Sequence, residues 1–574
     1  MNNKTPEWLE PFKRKFVSGD FKITDGGSIK PWIDKLLERK IASSQDLFCW
    51  LKDYSELQEI IEEDFSFRYV EMTCNTKDKR KEESYLYFVR EIQPKLIEWN
   101  NALNRKYYDS LHRRDLNPGE YGRLDRILST AIELYTEKNI QIEVRLAEMS
   151  QKYQVITGSW MVEFDGKIQT MPQMMIYLYK TDRNMREGAW KAMAERRLQD
   201  ARVLNSLFDT MVKTRHEYAK NIGLTDYREY AFKSKLRDYT PDDCLRFHDS
   251  IERVVVPLME RLAEKRRMKM KIESLRPWDI VVDPLGRPPL QPFKDAQELK
   301  NGVKEIFSRI DPHLGKQFNS LYSMMDLESR DGKAPGGYQA TFEERRIPFI
   351  FTNAAGIHED VTTLLHEGGH AFHTLSCRRQ PLIWYRHASM EFSEVASMTQ
   401  ELFGNPHLGI FYRNDEDANR SRIKQLERVV EIFPWVATVD GFQHWIYTHP
   451  EHTSEERAEK WLDITGRFEL KLDWSGINKD IKKYTWHKQL HIFEVPFYYI
   501  EYAIAQLGAL MLYGIYKGDQ RKAVRQYLSA LALGGSRSPQ ELFKAAGIKM
   551  DFSFENLSSL MEMIETELEE YNPH

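Results

Sequence analysis

The stretch Thr362 to Leu375, TTLLHEGGHAFHTL, carries three histidines, one glutamate and two adjacent glycines in a pattern of apolar residues typical of a helix. His366 and His370 are four residues apart, so on a helix they lie on one face, about 6 Å apart along the axis. Two imidazole nitrogens at this spacing can bind one Zn²⁺ ion at about 2.0–2.1 Å each. Glu367 points roughly 100° around the axis, where it can take a proton from an activated water. The motif predicts a zinc centre with an adjacent general base.

The third protein ligand must come from outside this motif. The pattern H-E-x-x-H-x-x-G-x-x-H would need Gly at 373 and His at 376, but the chain has His373 and Ser376. His373 lies roughly 10 Å along the axis from His366, so we expect it to pack rather than to bind the metal. The stretch SMEFSEVASMTQELF offers three acidic candidates on about one helix face, Glu391, Glu394 and Glu401. These residues alone leave open which one is the ligand, or whether the stretch is a solvated acidic stripe.

The two glycines of the motif need an explanation, because each costs a helix roughly 1 kcal/mol relative to alanine. Gly368 and Gly369 lack side chains, so another part of the molecule can approach their helix closely. We expect a neighbouring strand or a bound peptide at this place.

A second group of polar aromatic residues lies downstream, in WHKQLHIFEVPFYYIEYAIAQLGAL. Pro496 is suited to the start of a helix. Tyr498 and Tyr499 would then lie on the same side as Tyr502. Together with His491, these hydroxyls are suited to donating hydrogen bonds to an oxyanion. The alternative is an aromatic core helix with no role in catalysis.

The remaining sequence predicts mainly helices. Amphipathic helices are expected from Ile29 to roughly Ser150, and helical periodicity resumes at about Asn184. A β-hairpin is expected around Asp165-Gly166. A strand is expected at Ile347–Phe351, where Pro348 indicates the edge of a sheet. The fold class predicted is mainly α, with small β-sheet elements attached.

Composition narrows the class of protein further. With 574 residues, 41% of them hydrophobic, the chain can build a large core, and its net charge of −4 makes nucleic acid an improbable partner. The four cysteines form no CxxC pair and suit a reducing compartment. We find no signal-peptide pattern and no stretch long and apolar enough to span a membrane. A cytoplasmic enzyme is therefore expected.

These motifs together resemble the oligoendopeptidase F and thimet oligopeptidase family of zinc metallopeptidases. The helix motif LHEGGHAFH is similar to the family's FHEFGHALH, and Glu394-Val395-Ala396-Ser397 resembles the stretch that holds the family's third ligand. The resemblance thus selects Glu394 over the other two glutamates. Gly336-Gly337-Tyr338 and the strand containing Phe349 resemble the family's substrate-binding segment. The stretch HIFEVPFYYIEYAIAQLGAL resembles the Pz-peptidase branch, in which His491 and Tyr502 would assist the transition state, with Tyr498 and Tyr499 as further candidates.

The resemblance implies a two-lobed helical metallopeptidase with a deep substrate channel, divided into an N-terminal helical lobe (1–180) and a catalytic domain (181–574). It implies one Zn²⁺ per chain and the hydrolysis of internal bonds in short, unstructured peptides. Two alternatives stay open at this point. One is a metallocarboxypeptidase or peptidyl-dipeptidase of a related helical fold, and the other is a non-catalytic peptide-binding protein. The oligomeric state is not determined by the sequence.

Overall fold

The computed structural model describes residues 6–330, 332–334 and 336–571, which form helices joined by short connections and five short strands. The predicted fold class, mainly α with small sheets, is confirmed. Among the described residues, none of the helices combines the length and the apolar character that crossing a bilayer requires.

The elements are numbered in chain order. The helices before residue 290 are α1 (Gly26–Glu38), α2 (Ser44–Cys74), α3 (Lys79–Tyr87), α4 (Gln93–Tyr108), α5 (Pro118–Glu133), α6 (Glu137–Gly158), α7 (Met171–Leu178), α8 (Arg183–Gln199), α9 (Ala201–Asn221), α10 (Tyr227–Ser234) and α11 (Pro241–Met270). Those after it are α12 (Ala296–Ile310), α13 (Pro312–Ser320), α14 (His358–Cys377), α15 (Met390–Gly404), α16 (Asp415–Thr448), α17 (Ser454–Phe468), α18 (Lys479–Lys483), α19 (Leu490–Glu494), α20 (Ile500–Gly518), α21 (Gln520–Leu531), α22 (Pro539–Ala545) and α23 (Phe554–Tyr571). The strands are β1 (Met161–Phe164), β2 (Lys167–Thr170), β3 (Met325–Glu328), β4 (Tyr338–Phe342) and β5 (Ile347–Ala354).

The chain forms two compact units, each assembled from separate segments. Unit 1 comprises Met1–Glu133, Gln291–Arg422 and Ile504–Met550, and unit 2 comprises Leu134–Leu290, Ile423–Ala503 and Asp551–His574. The predicted boundary at residue 180 divides the chain at a single point instead, and it stays a prediction.

Unit 1 contains a three-stranded sheet in the order β3-β5-β4, in which β5 is antiparallel to β4 and parallel to β3. The predicted strand at Ile347–Phe351 is therefore confirmed, but its placement at a sheet edge is wrong, because β5 is the central strand. Pro348 is accommodated because it lies opposite Thr341 of β4, whereas β3 pairs with β5 only from Ile350 onward. The missing N–H of the proline consequently leaves no gap on the β3 side.

The N-terminal part of unit 1 is the helical region that the sequence predicted. Ser43 caps α2 by accepting a hydrogen bond from the N–H of Asp46, and buried apolar side chains of α1, α2, α4 and α5 form one core. Trp50 lies at its centre, fully buried, with its indole N–H donating to the carbonyl of Leu36 at 2.9 Å. A π-helical turn at Phe88–Ile92 joins α3 to α4.

Unit 2 contains the predicted hairpin. Strands β1 and β2 are antiparallel, and the two residues between them, Asp165 and Gly166, have φ values of 53° and 70°. Positive φ at both central residues is the geometry of the tight turn for which Asp-Gly is preferred. Helical structure returns earlier than the predicted Asn184, because Thr170 caps α7, which begins at Met171; α8 then begins at Arg183.

Candidate metal centre

Helix α14 carries the histidine motif, and a side chain in its first turn fixes the loop that precedes it. The carboxylate of Asp360 accepts hydrogen bonds from the N–H groups of Ala355, Gly356 and Ile357 at 2.8, 2.9 and 3.0 Å. This contact closes the connection from β5 into α14. The helix then packs against β5 and against α15, which places the two helices of the site side by side.

Three side chains converge at the middle of α14. His366 Nε2 lies 3.4 Å and His370 Nε2 lies 3.8 Å from Glu394 Oε2 of α15. One ligand atom from each of the three residues lies within 4.8 Å of the others. The two histidine side chains are 22% and 18% exposed, whereas that of Glu394 is 6% exposed. Two imidazoles and a carboxylate with one accessible side form the ligand set of a catalytic zinc site.

The electrostatics of the group fit a cation. Burial opposes a charge on His366, but the carboxylates of Glu394 and Glu401 still raise its pKa well above the usual value. Burial, with the charge of His366, lowers the pKa of His370 to about 4 against the opposing effect of Glu394 and Glu401, so its ring is neutral and its nitrogen is available as a ligand. Against the effect of burial, hydrogen bonding to His366 and the proximity of both imidazole rings hold the pKa of Glu394 at about 2. Zn²⁺ binds neutral imidazole, so an ion at this position would displace the proton from His366 and leave two imidazoles and an ionised carboxylate, a donor set that Zn²⁺ prefers.

Two further side chains fix the orientation of these residues. The Nδ1–H of His366 donates to Glu401 Oε1 at 2.7 Å, which turns Nε2 toward the group. The hydroxyl of Ser397 donates to Glu394 Oε2 at 3.1 Å. Of the three candidate glutamates, the structure thus brings Glu394 into the group and places Glu401 behind it. Glu391, at the start of α15, is buried outside the group.

Glu367 lies on the same helix, next to the first histidine. Its side chain is buried, and its Oε2 has no hydrogen-bond partner among the described residues. Burial raises the pKa of Glu367 to about 7. A carboxyl group with a pKa near neutrality can both accept and release a proton under ordinary conditions.

The two glycines of the motif make room for neighbouring side chains and backbone, but not for a strand or a peptide as expected. A Cβ on Gly369 would lie 2.5 Å from the carbonyl oxygen of Ala396 and 2.5 Å from the Cα of Ser397, both on α15. A Cβ on Gly368 would lie 2.5 Å from the ring of Phe307 on α12. The missing side chain of Gly369 therefore allows α15 to come close enough to present Glu394 to the histidines, and that of Gly368 makes room for α12.

His373 lies outside the group, as its spacing predicted. Its ring is buried, 6.3 Å from that of Phe392, and burial lowers its pKa to about 3. A neutral ring among apolar neighbours supports the helix by packing.

The Gly-Gly-Tyr stretch lies beside the motif helix. Gly336 has a φ of 97°, and a Cβ on Gly337 would meet Thr363 of α14 at 3.4 Å. Tyr338 begins β4 and stacks on Phe351 at 4.7 Å. Phe349 lies on the central strand and is half-buried, with Ala340 as its partner on β4. The structure therefore places the start of β4 against the helix that carries His366.

His491, Tyr498, Tyr499 and Tyr502 form a separate group in unit 2, here called the tyrosine cluster. The rings of Tyr499 and Tyr502 lie 4.8 and 5.9 Å from that of His491, and Tyr498 lies 5.3 Å from Tyr502. The side-chain amide of Gln489 donates to His491 Nδ1 at 2.8 Å, so the ring's proton resides on Nε2. Burial raises the pKa of Tyr499, which keeps its phenol protonated. The cluster thus presents hydrogen-bond donors.

The predicted helix start at Pro496 is wrong, because α20 begins at Ile500. Phe497 adopts a left-handed backbone conformation with a φ of 62°, which interrupts the helical conformation between α19 and α20. Arg237 donates to the carbonyl oxygen of Phe497 and Gln443 accepts from its N–H, so side chains of unit 2 hold this strained residue in place. Tyr498 and Tyr499 consequently lie in the connection before the helix, and Tyr502 lies in its first turn.

Comparison with known proteins assigns the family. The profile described as "Peptidase family M3" matches residues 176–562, about two thirds of the chain, and the profile described as "Peptidase M3 N-terminal domain" matches residues 16–124. The chain belongs to peptidase family M3. The suspected resemblance is therefore confirmed, and the protein is a peptidase by family.

Named relatives of this M3 peptidase are bacterial oligopeptidases. Oligopeptidase PepF of Bacillus subtilis is 23% identical over 413 residues, which cover 69% of this chain and 58% of the relative. The oligoendopeptidase F homolog of Lactococcus lactis subsp. lactis is 21% identical over 531 residues, covering 86% of this chain and 79% of the relative. A solved structure of Pz peptidase A with an inhibitor superimposes with a TM-score of 0.89 at 25% identity and covers 97% of this chain and 99% of that one.

The roles of Ser397 and Phe307 in this M3 peptidase were not predicted from the sequence. Ser397 is three residues beyond Glu394, so its position one helical turn away was a usable signal for a hydrogen bond to that carboxylate. Phe307 lies far from the motif in sequence and reads as an ordinary core position of α12. Only the packing of α12 against Gly368 reveals its role.

Proposed function

We propose that this M3 peptidase is a zinc-dependent oligoendopeptidase that hydrolyses internal bonds of short, unstructured peptides. The observation that carries the proposal is the convergence of His366, His370 and Glu394 beside Glu367, a buried carboxyl group whose Oε2 has no hydrogen-bond partner among the described residues. A metal-binding protein without activity would have no need for that carboxyl group. We also propose a cytoplasmic location, in keeping with the cysteine usage.

His366, His370 and Glu394 would hold one Zn²⁺ ion, with Glu401 fixing the tautomer and orientation of His366. When bound, the ion supplies Lewis acidity that makes water nucleophilic at neutral pH and polarises the scissile carbonyl. Glu367 takes the proton of the attacking water and delivers it to the amine of the leaving peptide. Its pKa near 7 suits both directions of transfer.

The tyrosine cluster would act on the oxyanion. Tyr502 and His491 donate hydrogen bonds as negative charge develops on the former carbonyl oxygen, with Tyr498 and Tyr499 as additional donors. In this proposal the phenols stay protonated throughout and transfer no proton.

The peptide backbone would pair with β4 rather than with β5. Both sides of β5 are already used in the sheet, whereas β4 is an outer strand that begins at Tyr338, directly after Gly336-Gly337 and beside α14. Pairing through main-chain hydrogen bonds gives affinity with little sequence preference. It also requires an extended substrate, because the backbone groups of a folded protein are already hydrogen-bonded. Phe349, next to β4 in the sheet, would contact substrate side chains.

The test is cleavage of an internally quenched peptide of about ten residues, with products identified by mass. We expect internal cleavage by the wild type, and its loss on adding a chelator and in the variant Glu367→Gln. Glu359→Gln, which removes a carboxylate from the first turn of the same helix, is the matched control and retains activity. Release of only one or two C-terminal residues would replace the proposal with an exopeptidase. An absence of cleavage despite bound zinc would replace it with a peptide-binding protein.

A further inference from the structure

A second cluster of metal-binding side chains lies inside unit 2, away from the histidine motif in sequence. Helix α11 supplies Cys244 and His248, four residues apart, and α16 supplies Asp440 and His444, also four residues apart. Each pair therefore lies on one face of its helix. All four side chains are at most 4% exposed. We call these four residues the buried cluster.

Three members of the buried cluster, Cys244, Asp440 and His444, are as tightly arranged as the catalytic group. His248 Nε2 lies 3.0 Å and His444 Nε2 lies 3.2 Å from the same oxygen, Asp440 Oδ2. One ligand atom each from Cys244, Asp440 and His444 lies within 4.8 Å of the others, the same limit that encloses His366, His370 and Glu394. Tetrahedral zinc with ordinary bond lengths needs ligand atoms about 3.4–3.8 Å apart, so Cys244, Asp440 and His444 need a small contraction. His248, which is close to Asp440 but outside the 4.8 Å group, must move further to complete the four ligands.

Well-formed hydrogen bonds do not account fully for this arrangement. Neither carboxylate oxygen of Asp440 has a hydrogen-bond partner among the described residues, and the same holds for Nε2 of both histidines. Both Nε2 atoms approach the same oxygen at ion-pair distance, but without the geometry of a well-formed hydrogen bond. Two such contacts on a single oxygen compensate a fully buried carboxylate poorly. A cation placed between these atoms would satisfy all of them at once.

We propose that the buried cluster is a structural Zn²⁺ site in which all four side chains are ligands. The chemistry of the donors favours zinc, because thiolate and imidazole are ligands of Zn²⁺ rather than of Mg²⁺ or Ca²⁺. A thiolate and a carboxylate together carry two negative charges, which one Zn²⁺ neutralises. Four protein ligands and complete burial leave no open position for water, so the site is closed and takes no part in hydrolysis.

The position of the site gives it a structural task. The ring of His444 packs 5.3 Å from that of Phe497, the residue with the left-handed backbone before α20. Gln443, next to His444, accepts the N–H of Phe497 at 2.7 Å. An ion that joins α16 to α11 therefore fixes the helix turn on which the strained connection, and with it Tyr498, rests.

The first test counts metal in protein expressed in zinc-replete medium, because a fully buried site takes up its ion during folding. We expect about two zinc ions per chain in the wild type and about one in the double variant His366→Asn/His370→Asn, whose catalytic group is disabled. Adding Cys244→Ser and His444→Asn to the double variant should remove the remaining ion. Adding Cys377→Ser, which removes another buried thiol, should not.

The second test identifies the thiolate ligand. Protein grown with Co²⁺ in zinc-poor medium should show a near-ultraviolet thiolate-to-cobalt charge-transfer band. The catalytic group contains no sulfur and cannot produce one. The band should persist in the double variant and in Cys377→Ser, and it should disappear in Cys244→Ser.

Either of two results would overturn the proposal. One is a double variant that carries no stoichiometric metal, and the other is a cobalt protein without the charge-transfer band. Neither measurement requires a substitution in the buried cluster, so both remain decisive if Cys244→Ser fails to fold.

Discussion

The Nδ1–H of His366 donates a 2.7 Å hydrogen bond to Glu401 Oε1, and this contact determines which nitrogen of the ring faces the candidate metal centre. The carboxylate takes the proton-bearing nitrogen and leaves Nε2 for the ion. The two residues lie on consecutive helices of unit 1, so the orientation depends on how closely α14 and α15 approach each other.

Replacing Glu401 should weaken the metal centre without removing a ligand. Glu401→Gln keeps an acceptor oxygen but loses the negative charge beside the imidazole. Mutating the hydrogen-bond partner of a ligating histidine typically lowers metal affinity by about 10–100-fold. Peptide hydrolysis should fall at limiting zinc and recover when zinc is added. Zinc titration against a competing chelator measures the change. Glu391→Gln, which alters another buried carboxylate of α15, is the control, and an unchanged zinc affinity in Glu401→Gln would contradict the assigned role.

Alanine at Gly369 should separate the two helices of the site. Its Cβ would meet backbone atoms of Ala396 and Ser397 at 2.5 Å, and backbone cannot rotate away, so we expect a loss of about 1–3 kcal/mol in stability together with weaker zinc binding. Gly368→Ala meets the ring of Phe307, a side chain that can shift, and should cost less. Thermal unfolding and zinc content measure both effects.

The control for these substitutions is Gly466→Ala. Gly466 lies within α17 with nothing near the position of its Cβ, so alanine there should raise stability by up to about 1 kcal/mol. If Gly369→Ala behaved like Gly466→Ala, the close approach of α15 would not be what the glycine provides.

Removing one phenol from the tyrosine cluster should affect the transition state selectively. Tyr502→Phe keeps the ring contacts with His491 and Tyr499 but loses a hydrogen-bond donor, so kcat should fall by about 10²–10³ while KM changes little. Steady-state kinetics on the quenched peptide provide both constants. The same measurement on Tyr498→Phe and Tyr499→Phe shows how much each of these two hydroxyls contributes to kcat. A rise in KM with kcat unchanged would assign Tyr502 to ground-state binding instead.

Acid should destabilise the protein through His487. Its ring is 1% exposed, and burial, together with the nearby charge of Arg457, lowers its pKa to about 3. The unfolded chain, with an ordinary value near 6.5, binds the proton more readily, so stability falls as the pH drops from about 6.5 toward 3. At pH 5 the loss is about 2 kcal/mol.

The measurement is urea unfolding at pH 7 and pH 5 for the wild type and His487→Gln. The variant lacks the titrating group, so its stability should decline less between the two pH values. His313→Gln, at an exposed position, should decline as the wild type does. Equal declines in the wild type and His487→Gln would show that His487 does not contribute.

Features governed by local sequence were predicted well. The helix of the histidine motif follows from apolar spacing, and the hairpin follows from Asp165-Gly166, whose positive φ values suit those residues. The start of α20 was missed because Pro496 is compatible with a helix, and only the contacts of Arg237 and Gln443 show that Phe497 departs from one.

Features that depend on pairing between distant segments could not be predicted. The hydrophobic pattern of a strand does not indicate how many neighbouring strands it has. The edge position predicted for β5 from Pro348 is therefore wrong. The buried cluster was missed for a related reason. Each of its helices shows only a spacing of four residues between two metal-binding side chains, CLRFH on α11 and DGFQH on α16. Neither pair stands out until both faces are known to meet.

The candidate ligands and their supports all lie between residues 366 and 401, on two helices that follow one another in the chain. Bringing them together closes only a short loop, which costs little chain entropy. During synthesis this segment emerges well before Ile504–Met550, the last part of unit 1. An ion captured by the nascent α14–α15 pair would therefore act as a folding nucleus for the rest of the unit, and the rate of refolding in vitro would depend on the concentration of zinc.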